Sequence, residues 1–191
     1  MSLDTATLER ALATARLRLE PLRPAHADAL FEGLQDTRIY EWISGQPPAS
    51  AEALRARWGR LQRTGEVLDL GWAVRRAGDG AWIGKMDAEV CVETHPVHAS
   101  NVGYLFFPPY WGQGYAIEAV RALADHLARC GVAEQHATVT VGNAASCRVL
   151  EHAGFARERV LAGNDTIRGQ LVDDIEYVRR DAAVVPAGRP G

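Results

Sequence analysis

Pro108-Pro109-Tyr110-Trp111-Gly112-Gln113-Gly114-Tyr115-Ala116 separates two segments of different pattern. Before it, Val102-Gly103-Tyr104-Leu105-Phe106-Phe107 is a short apolar run that reads as a strand. After it, Ala116, Val120, Leu123, Ala124 and Leu127 recur at helical spacing. A strand, a glycine-bearing turn and a helix opening bring unpaired backbone N–H groups to the positive end of a helix dipole. That arrangement binds phosphate. Gly112 and Gly114 let the backbone approach a bulky anion that side chains would hold away. A dinucleotide fingerprint would need a third glycine where Ile117 stands. A P-loop would need Ser or Thr after Gly84-Lys85, where the chain has Met86. On the turn alone, an ordinary helix-opening turn is an equal reading.

A second motif breaks that tie. It is Asn143-Ala144-Ala145-Ser146-Cys147-Arg148-Val149-Leu150-Glu151-His152-Ala153-Gly154-Phe155. Together the two stretches resemble the GNAT superfamily of N-acetyltransferases, and within it the ribosomal-protein N-acetyltransferase branch. Trp111 stands where the superfamily's loop has Arg or Gln, with Gly114 and Ala116 at its other two positions. Arg16 to Leu22 is similar to the branch's first strand, and Gly169 to Tyr177, with Asp173, to its last. The resemblance implies an α+β fold, with a mixed, mostly antiparallel sheet of about seven strands flanked by about four helices. It divides the chain into an N-terminal extension (1–14), an acetyltransferase domain (15–180) and a mobile tail (181–191).

Bulk properties agree. A chain of 191 residues fits one domain, and 47% hydrophobic with 24% charged residues is ordinary for a globular protein. A net charge of −3 argues against a dedicated nucleic-acid binder. No long uncharged apolar segment predicts a membrane span. Asp4, Glu9 and Arg10 interrupt any signal-peptide core, so the expected location is cytoplasmic. Cys91, Cys130 and Cys147 show no disulfide-framework spacing. Cys91, His95 and His98 lack an evident fourth ligand, so no metal is expected.

The remaining elements follow from periodicity and punctuation. Residues 4–13 allow a short helix, and 16–22 a strand. A helix follows Pro24, and Ser50 caps another through Trp58 and Leu61. Strands flank the turn Gly78-Asp79-Gly80. Helices are expected near 114–129 and after Asn143, and strands near 101–107, 136–141, 155–162 and 170–179.

The resemblance implies an acetyl-CoA-dependent N-acetyltransferase acting by direct transfer to a primary amine. The acceptor is a small-molecule amine or a protein N-terminus. Trp111, Gly112, Gln113, Gly114, Tyr115 and Ala116 would hold the pyrophosphate of coenzyme A. A strand N–H among Leu105, Phe106 and Phe107 would hold the thioester carbonyl, and Gly103 suits the strand distortion this requires. Asn143 would cap its helix and reach the cofactor arm, and Arg148 would reach the 3′-phosphate. Ser146 is the candidate general acid, because the Tyr that many relatives use four residues later is Leu150 here. Glu89 and Glu93, alternating with Cys91 on one strand face, are the candidate general bases. Tyr40 and Trp42 are candidate acceptor contacts. Asn101 replaces a Glu common in the branch. With Leu150, it keeps a second reading open: a catalytically silent acyl-CoA-binding module. A third reading, within the superfamily, is an antibiotic or polyamine acetyltransferase, which an acidic acceptor cleft would favour. Monomer and homodimer both remain open.

Overall fold

The computed structural model describes residues 5–59, 66–94 and 96–181. The elements in chain order are α1 (Thr5–Leu8), β1 (Leu12–Ala13), β2 (Leu17–Pro21), α2 (Ala27–Phe31), α3 (Ala51–Trp58), β3 (Val67–Arg76), β4 (Trp82–Cys91) and β5 (His98–Phe106). They continue as α4 (Tyr115–Arg129), β6 (Glu134–Thr140), α5 (Ala144–His152), β7 (Ala156–Ile167) and β8 (Gln170–Arg180). The strands form one sheet in the order β1-β2-β3-β4-β5-β6-β8-β7. All neighbours are antiparallel except β5 and β6. This is the expected α+β, mostly antiparallel architecture. Eight strands and five helices are described against about seven and four expected; the two-residue β1 is the added strand. Most of the expected tail (182–191), His95 and Leu61 fall outside the described residues.

Local chemistry explains several boundaries. Ser50 Oγ accepts from Ala53 N at 3.1 Å, capping α3 as its sequence position suggests. α4 opens at Gly114 and buries Ala119, Val120, Leu123, Ala124 and Leu127 along one stripe. These pack with Leu19, Trp72, Met86, Val102, Val139 and Leu150 in the larger of two apolar clusters. On the other face, α2, the turn Gly33–Gln35 and α3 bury Leu30, Leu34, Leu54 and Trp58 against Ala73 and Phe107. This second cover stops short of β6, where Thr138 is exposed.

The N-terminal residues are part of the core. Leu8 has 0% exposure and joins the larger cluster together with Leu12. Trp72 Nε1 donates to Arg10 O at 3.1 Å, and His126 Nε2 lies 3.0 Å from Leu8 O.

β5 and β6 pair only at His98↔Glu134 and Ala99↔Gln135, although both strands continue. The cause lies in the neighbouring ladder. Glu89 pairs with Asn101 and Val90 with Ala99, which leaves Ser100 as an extra residue in β5. A bulge of this kind bends its strand and sharpens its twist, turning β5 away from β6. Gly103 suits such a distortion by its residue type, but the bulge falls at Ser100 instead. Gly103 has a different task. It pairs with Asp87, and a Cβ there would collide with the Asp87 carboxylate.

Because Leu8 is enclosed, Leu8→Ala is expected to cost about 2–5 kcal/mol of unfolding free energy. Leu171→Ala, at a position 75% exposed, should stay within about 0.5 kcal/mol. Urea unfolding of the two variants checks whether the N-terminal segment belongs to the cooperative unit.

Candidate active site

A cleft of about 930 Å³ opens where β5 and β6 part. Leu105, Phe106, Trp111, Gly112, Gly114, Tyr115 and Ala116 line it from the β5–α4 side. Asn143, Ser146 and Arg148 line it from α5, and Trp42 from the segment after α2. The structure therefore gathers most of the residues singled out in the sequence. Phe107, Gln113, Tyr40, Glu89 and Glu93 stand outside the lining.

The glycine loop has the conformation the sequence required. Gly112 and Gly114 have φ of 70° and 78°, in the left-handed region that disfavours side chains. A Cβ on Gly112 would meet nothing within 4 Å, so the space above the loop is open. Gly114 is the N-cap of α4 and offers no side-chain acceptor, leaving the first-turn N–H groups available. Arg16 fixes the loop: its Nη1 donates to Gln113 O at 3.0 Å, and its Nε to Glu118 at 2.6 Å. The Gln113 side chain turns back to Pro109 O at 2.9 Å. Trp111 Nε1 donates to Phe106 O at 2.6 Å, tying the loop to the end of β5.

Strand alternation selects which β5 amides face the gap. Phe107 N donates to Ile83 O at 2.8 Å, so its N–H is consumed by β4, and its ring lies in the second apolar cluster. By the antiparallel pattern the N–H groups of Tyr104 and Phe106 point the other way, toward β6. No β6 residue pairs with them. An open helix N-terminus, two left-handed glycines, with free space over Gly112 and the Arg16 guanidinium beside Gly114, and an unpaired strand edge together fit the pyrophosphate and amide-bearing arm of coenzyme A.

Asn143 Oδ1 accepts from Ser146 N at 3.1 Å, so the cap exists and orients the first turn of α5. Ser146 Oγ lies 2.5 Å from the Tyr104 hydroxyl, which also lies 3.2 Å from Ser146 O. Burial pushes Tyr104 up to about 12, against the opposing effect of its Ser146 hydrogen bond. Tyr104 was not singled out from the sequence. Its alternation with Val102 and Phe106 did place it on the helix-covered face, but the partner 42 residues away is a tertiary fact. Leu150 has 0% exposure and belongs to the core.

The carboxylates are arranged differently from the sequence expectation. Glu89 is exposed on β4, and Glu93 is exposed beyond the strand's end. Partial desolvation of this otherwise exposed side chain, together with the charges of Asp69 and Asp87, raises Glu89 from its ordinary value. Asp87, two residues earlier on the same face, is the β4 carboxylate that lines the cleft. It accepts from Lys85 Nζ at 2.6 Å and lies over Gly103. The alternation that picks out Glu89 also carries Asp87. What the sequence hides is that Gly103 clears the space for it.

Of the two aromatic candidates, only Trp42 reaches the cleft. Thr140 Oγ1 donates to Trp42 O at 3.1 Å, and the indole packs against Gly142, whose φ is 105°. Tyr40 donates to Leu34 O at 2.9 Å and packs on the second cluster. Among the described residues, no group of three or more His, Cys, Asp or Glu could hold a metal ion. No helix of the described residues is long and apolar enough to cross a membrane.

Comparison with known proteins gives this geometry its context. The profile of the acetyltransferase (GNAT) domain matches residues 16–156. The uncharacterized N-acetyltransferase YoaA of Bacillus subtilis (strain 168) is 25% identical over 154 residues, covering 78% of this chain and 85% of its own. YkkB of the same organism is 28% identical over 150 residues, 75% of this chain and 84% of its own. The ribosomal-protein-S5-alanine acetyltransferase of Vibrio fischeri shares the fold with a TM-score of 0.77 at 17% identity, covering 92% of this chain and 99% of that one. RimL, a ribosomal L7/L12 alpha-N-protein acetyltransferase solved with coenzyme A, has a TM-score of 0.77 at 20% identity, covering 88% and 96%. With its domain match spanning the glycine loop, the gap between β5 and β6 and the Asn143 helix, this chain belongs to the GNAT family of acetyl-CoA-dependent N-acetyltransferases.

Proposed function

We propose that the enzyme transfers acetyl directly to a primary amine, in the gap between β5 and β6, with Ser146 and Asp87 managing the protons. The observation that carries this reading is the convergence of three features on one cleft. These are the uncapped start of α4, the unpaired edge of β5 and Ser146 at the start of α5. Backbone N–H groups from Gly112 to Ala116 bind the pyrophosphate, which makes a cation at Trp111 dispensable. Arg148, which lines the cleft from α5, would take the 3′-phosphate.

Bound acetyl-CoA supplies an activated acetyl group and a thiolate leaving group. The Phe106 N–H, facing the gap, donates to the thioester oxygen as negative charge develops there; losing such a donor costs about 3 kcal/mol. Ser146 Oγ–H delivers its proton to the departing sulfur and recovers one from solvent, while Asp87 releases the amine's proton to solvent. Tyr104 prepares that step. In the Tyr104–Ser146 pair either oxygen can donate; the step uses the arrangement in which the phenol proton lies toward Oγ rather than toward Ser146 O, leaving the serine hydrogen for the cleft. With its ionisation near 12, Tyr104 stays a donor throughout the working pH range. Asp87 takes the proton from the amine nitrogen as the N–C bond forms. We assign the base to Asp87 rather than to Glu89 or Glu93 because it is the β4 carboxylate in the cleft lining.

A silent acyl-CoA-binding module would keep the loop but would not need a serine hydroxyl held by a buried phenol. Ser146→Ala is expected to lower kcat by about 10²-fold, leaving acetyl-CoA affinity in place. Tyr104→Phe should lower kcat by about tenfold, and the double variant should be no slower than Ser146→Ala alone, because the two act through one hydroxyl. Steady-state kinetics with a saturating amine reads all three. Full turnover in Ser146→Ala contradicts the proton-donor role.

Asp87→Asn should reduce kcat/KM for the amine by about 10²-fold, whereas Glu89→Gln should change it little. The reverse order, measured in the same assay, would return the base to Glu89.

A further inference from the structure

The glycine loop carries no charge of its own. From Trp111 to Ala116 every side chain is neutral. The first charge on α4 is Glu118, in the opening turn of the helix. At 1.5 Å per residue it stands about 5 Å along the axis from Tyr115. A carboxylate there favours the empty helix, because it sits at the positive end of the dipole. For a pyrophosphate at the same end it is a competitor of the same sign. Its charge therefore has to be masked when coenzyme A binds.

The group that masks it is Arg16, the residue before β2. Glu118 accepts from Arg16 Nε at 2.6 Å, from Arg16 N at 2.9 Å and from Thr14 Oγ1 at 2.5 Å. Burial alone would raise Glu118; the bonds to Thr14 and Arg16 overcome this and hold it below its ordinary value, so it stays an anion. Thr14 Oγ1 also accepts from Leu17 N at 2.9 Å, which anchors the whole arrangement to the start of β2. The other end of the guanidinium reaches the loop. Its Nη1 donates to Gln113 O at 3.0 Å, and its Nη2 lies 3.5 Å from where a Cβ on Gly114 would stand. Its plane packs over the Tyr115 ring, 4.6 Å from the centroid. One side chain thus touches the competing acid and the anion-binding loop together. Arg76, stacked over the Tyr110 ring at 5.4 Å, is already held by Asp79, and Arg148 belongs to α5.

We infer that Arg16 is a positioning residue for the acetyl donor: by masking Glu118 and fixing Gln113, it sets the preference for donors that carry a pyrophosphate. This rests on the acetyl-transfer reading above and names what regulates donor choice at that site. Arg16 does not line the cleft, so it acts through the loop and not by touching the ligand. Two effects combine in it. The Gln113 tie keeps the loop in the conformation that leaves the first-turn N–H groups open. The Glu118 pair cancels a negative charge about one helical turn from the phosphates. The second effect is the one with a distinctive signature, because removing Arg16 alone leaves an unmasked acid behind, whereas removing both partners does not.

The test uses three donors: acetyl-CoA, acetyl-dephospho-CoA, which keeps the pyrophosphate and lacks the 3′-phosphate, and S-acetylpantetheine, which has no phosphate. Their kcat/KM values are measured in the wild type, Arg16→Met, Glu118→Gln and the double variant, with one amine at saturation. Arg16→Met is expected to lower the ratio of each pyrophosphate donor to S-acetylpantetheine by about 10-fold, through KM. Arg16→Lys, which keeps the charge, should recover part of that ratio. The double variant should use the pyrophosphate donors better than Arg16→Met does, because the unmasked acid has gone. A loss common to all three donors means a purely structural role and overturns the inference. So does a loss confined to acetyl-CoA, which reports the 3′-phosphate, and so does a double variant no better than Arg16→Met. If the wild type acetylates no amine, the transfer reading fails on its own. Calorimetric Kd values for coenzyme A, dephospho-CoA and pantetheine in the same proteins then decide this inference by the same ratios.

Discussion

The parting of β5 and β6 is the constraint on which the rest of the molecule depends. Two parallel strands that begin as partners stop pairing after Ala99 and Gln135. Each runs on into a helix, β5 through the glycine loop into α4 and β6 through Asn143 into α5. Because the strands are parallel, both helix N-termini arrive at the same end of the sheet, on either side of the gap. Open sheets commonly bind ligands at such carboxyl ends, where strand order or direction changes. The positive ends of two helix dipoles then face one crevice, one left open by Gly114 and the other closed by Asn143. The open end suits an anion, and the closed one places Ser146.

The parts legible in the sequence are those whose causes are local. Gly112 and Gly114 announce left-handed turns because other residues pay a steric cost there. Asn143 and Ser50 announce helix starts because their side chains reach amides three residues on. The apolar stripe of α4 announces its buried face. These signals lie within a few residues of what they specify, and each appears in the structure where the sequence put it.

The parts that were not legible depend on which segments meet. Asp87 enters the cleft because Gly103, across the β4–β5 ladder, has no side chain. From sequence alone Asp87 is one of several alternating acids, and Glu89 and Glu93 are equally attractive. Tyr104 becomes important because α5 lays Ser146 on its hydroxyl. Phe107 looks like an oxyanion donor until the ladder shows Ile83 O consuming its N–H. The bulge at Ser100 is a mismatch in count between two strands, and neither strand displays it alone.

In this account the cleft separates two electrostatic tasks. Backbone donors at α4, with Arg16 bracing the loop, face an anion, and the Asp87 carboxylate on β4 faces the opposite side of the gap. The central claim is that the gap and its glycine loop hold coenzyme A through the main chain. Backbone amide NMR during a coenzyme A titration tests this most directly. The predicted result is that the largest shifts fall on Gly112 to Ile117 and on Tyr104 and Phe106, and that Gly114→Val abolishes them. Saturable coenzyme A binding that leaves those amides unmoved would contradict it.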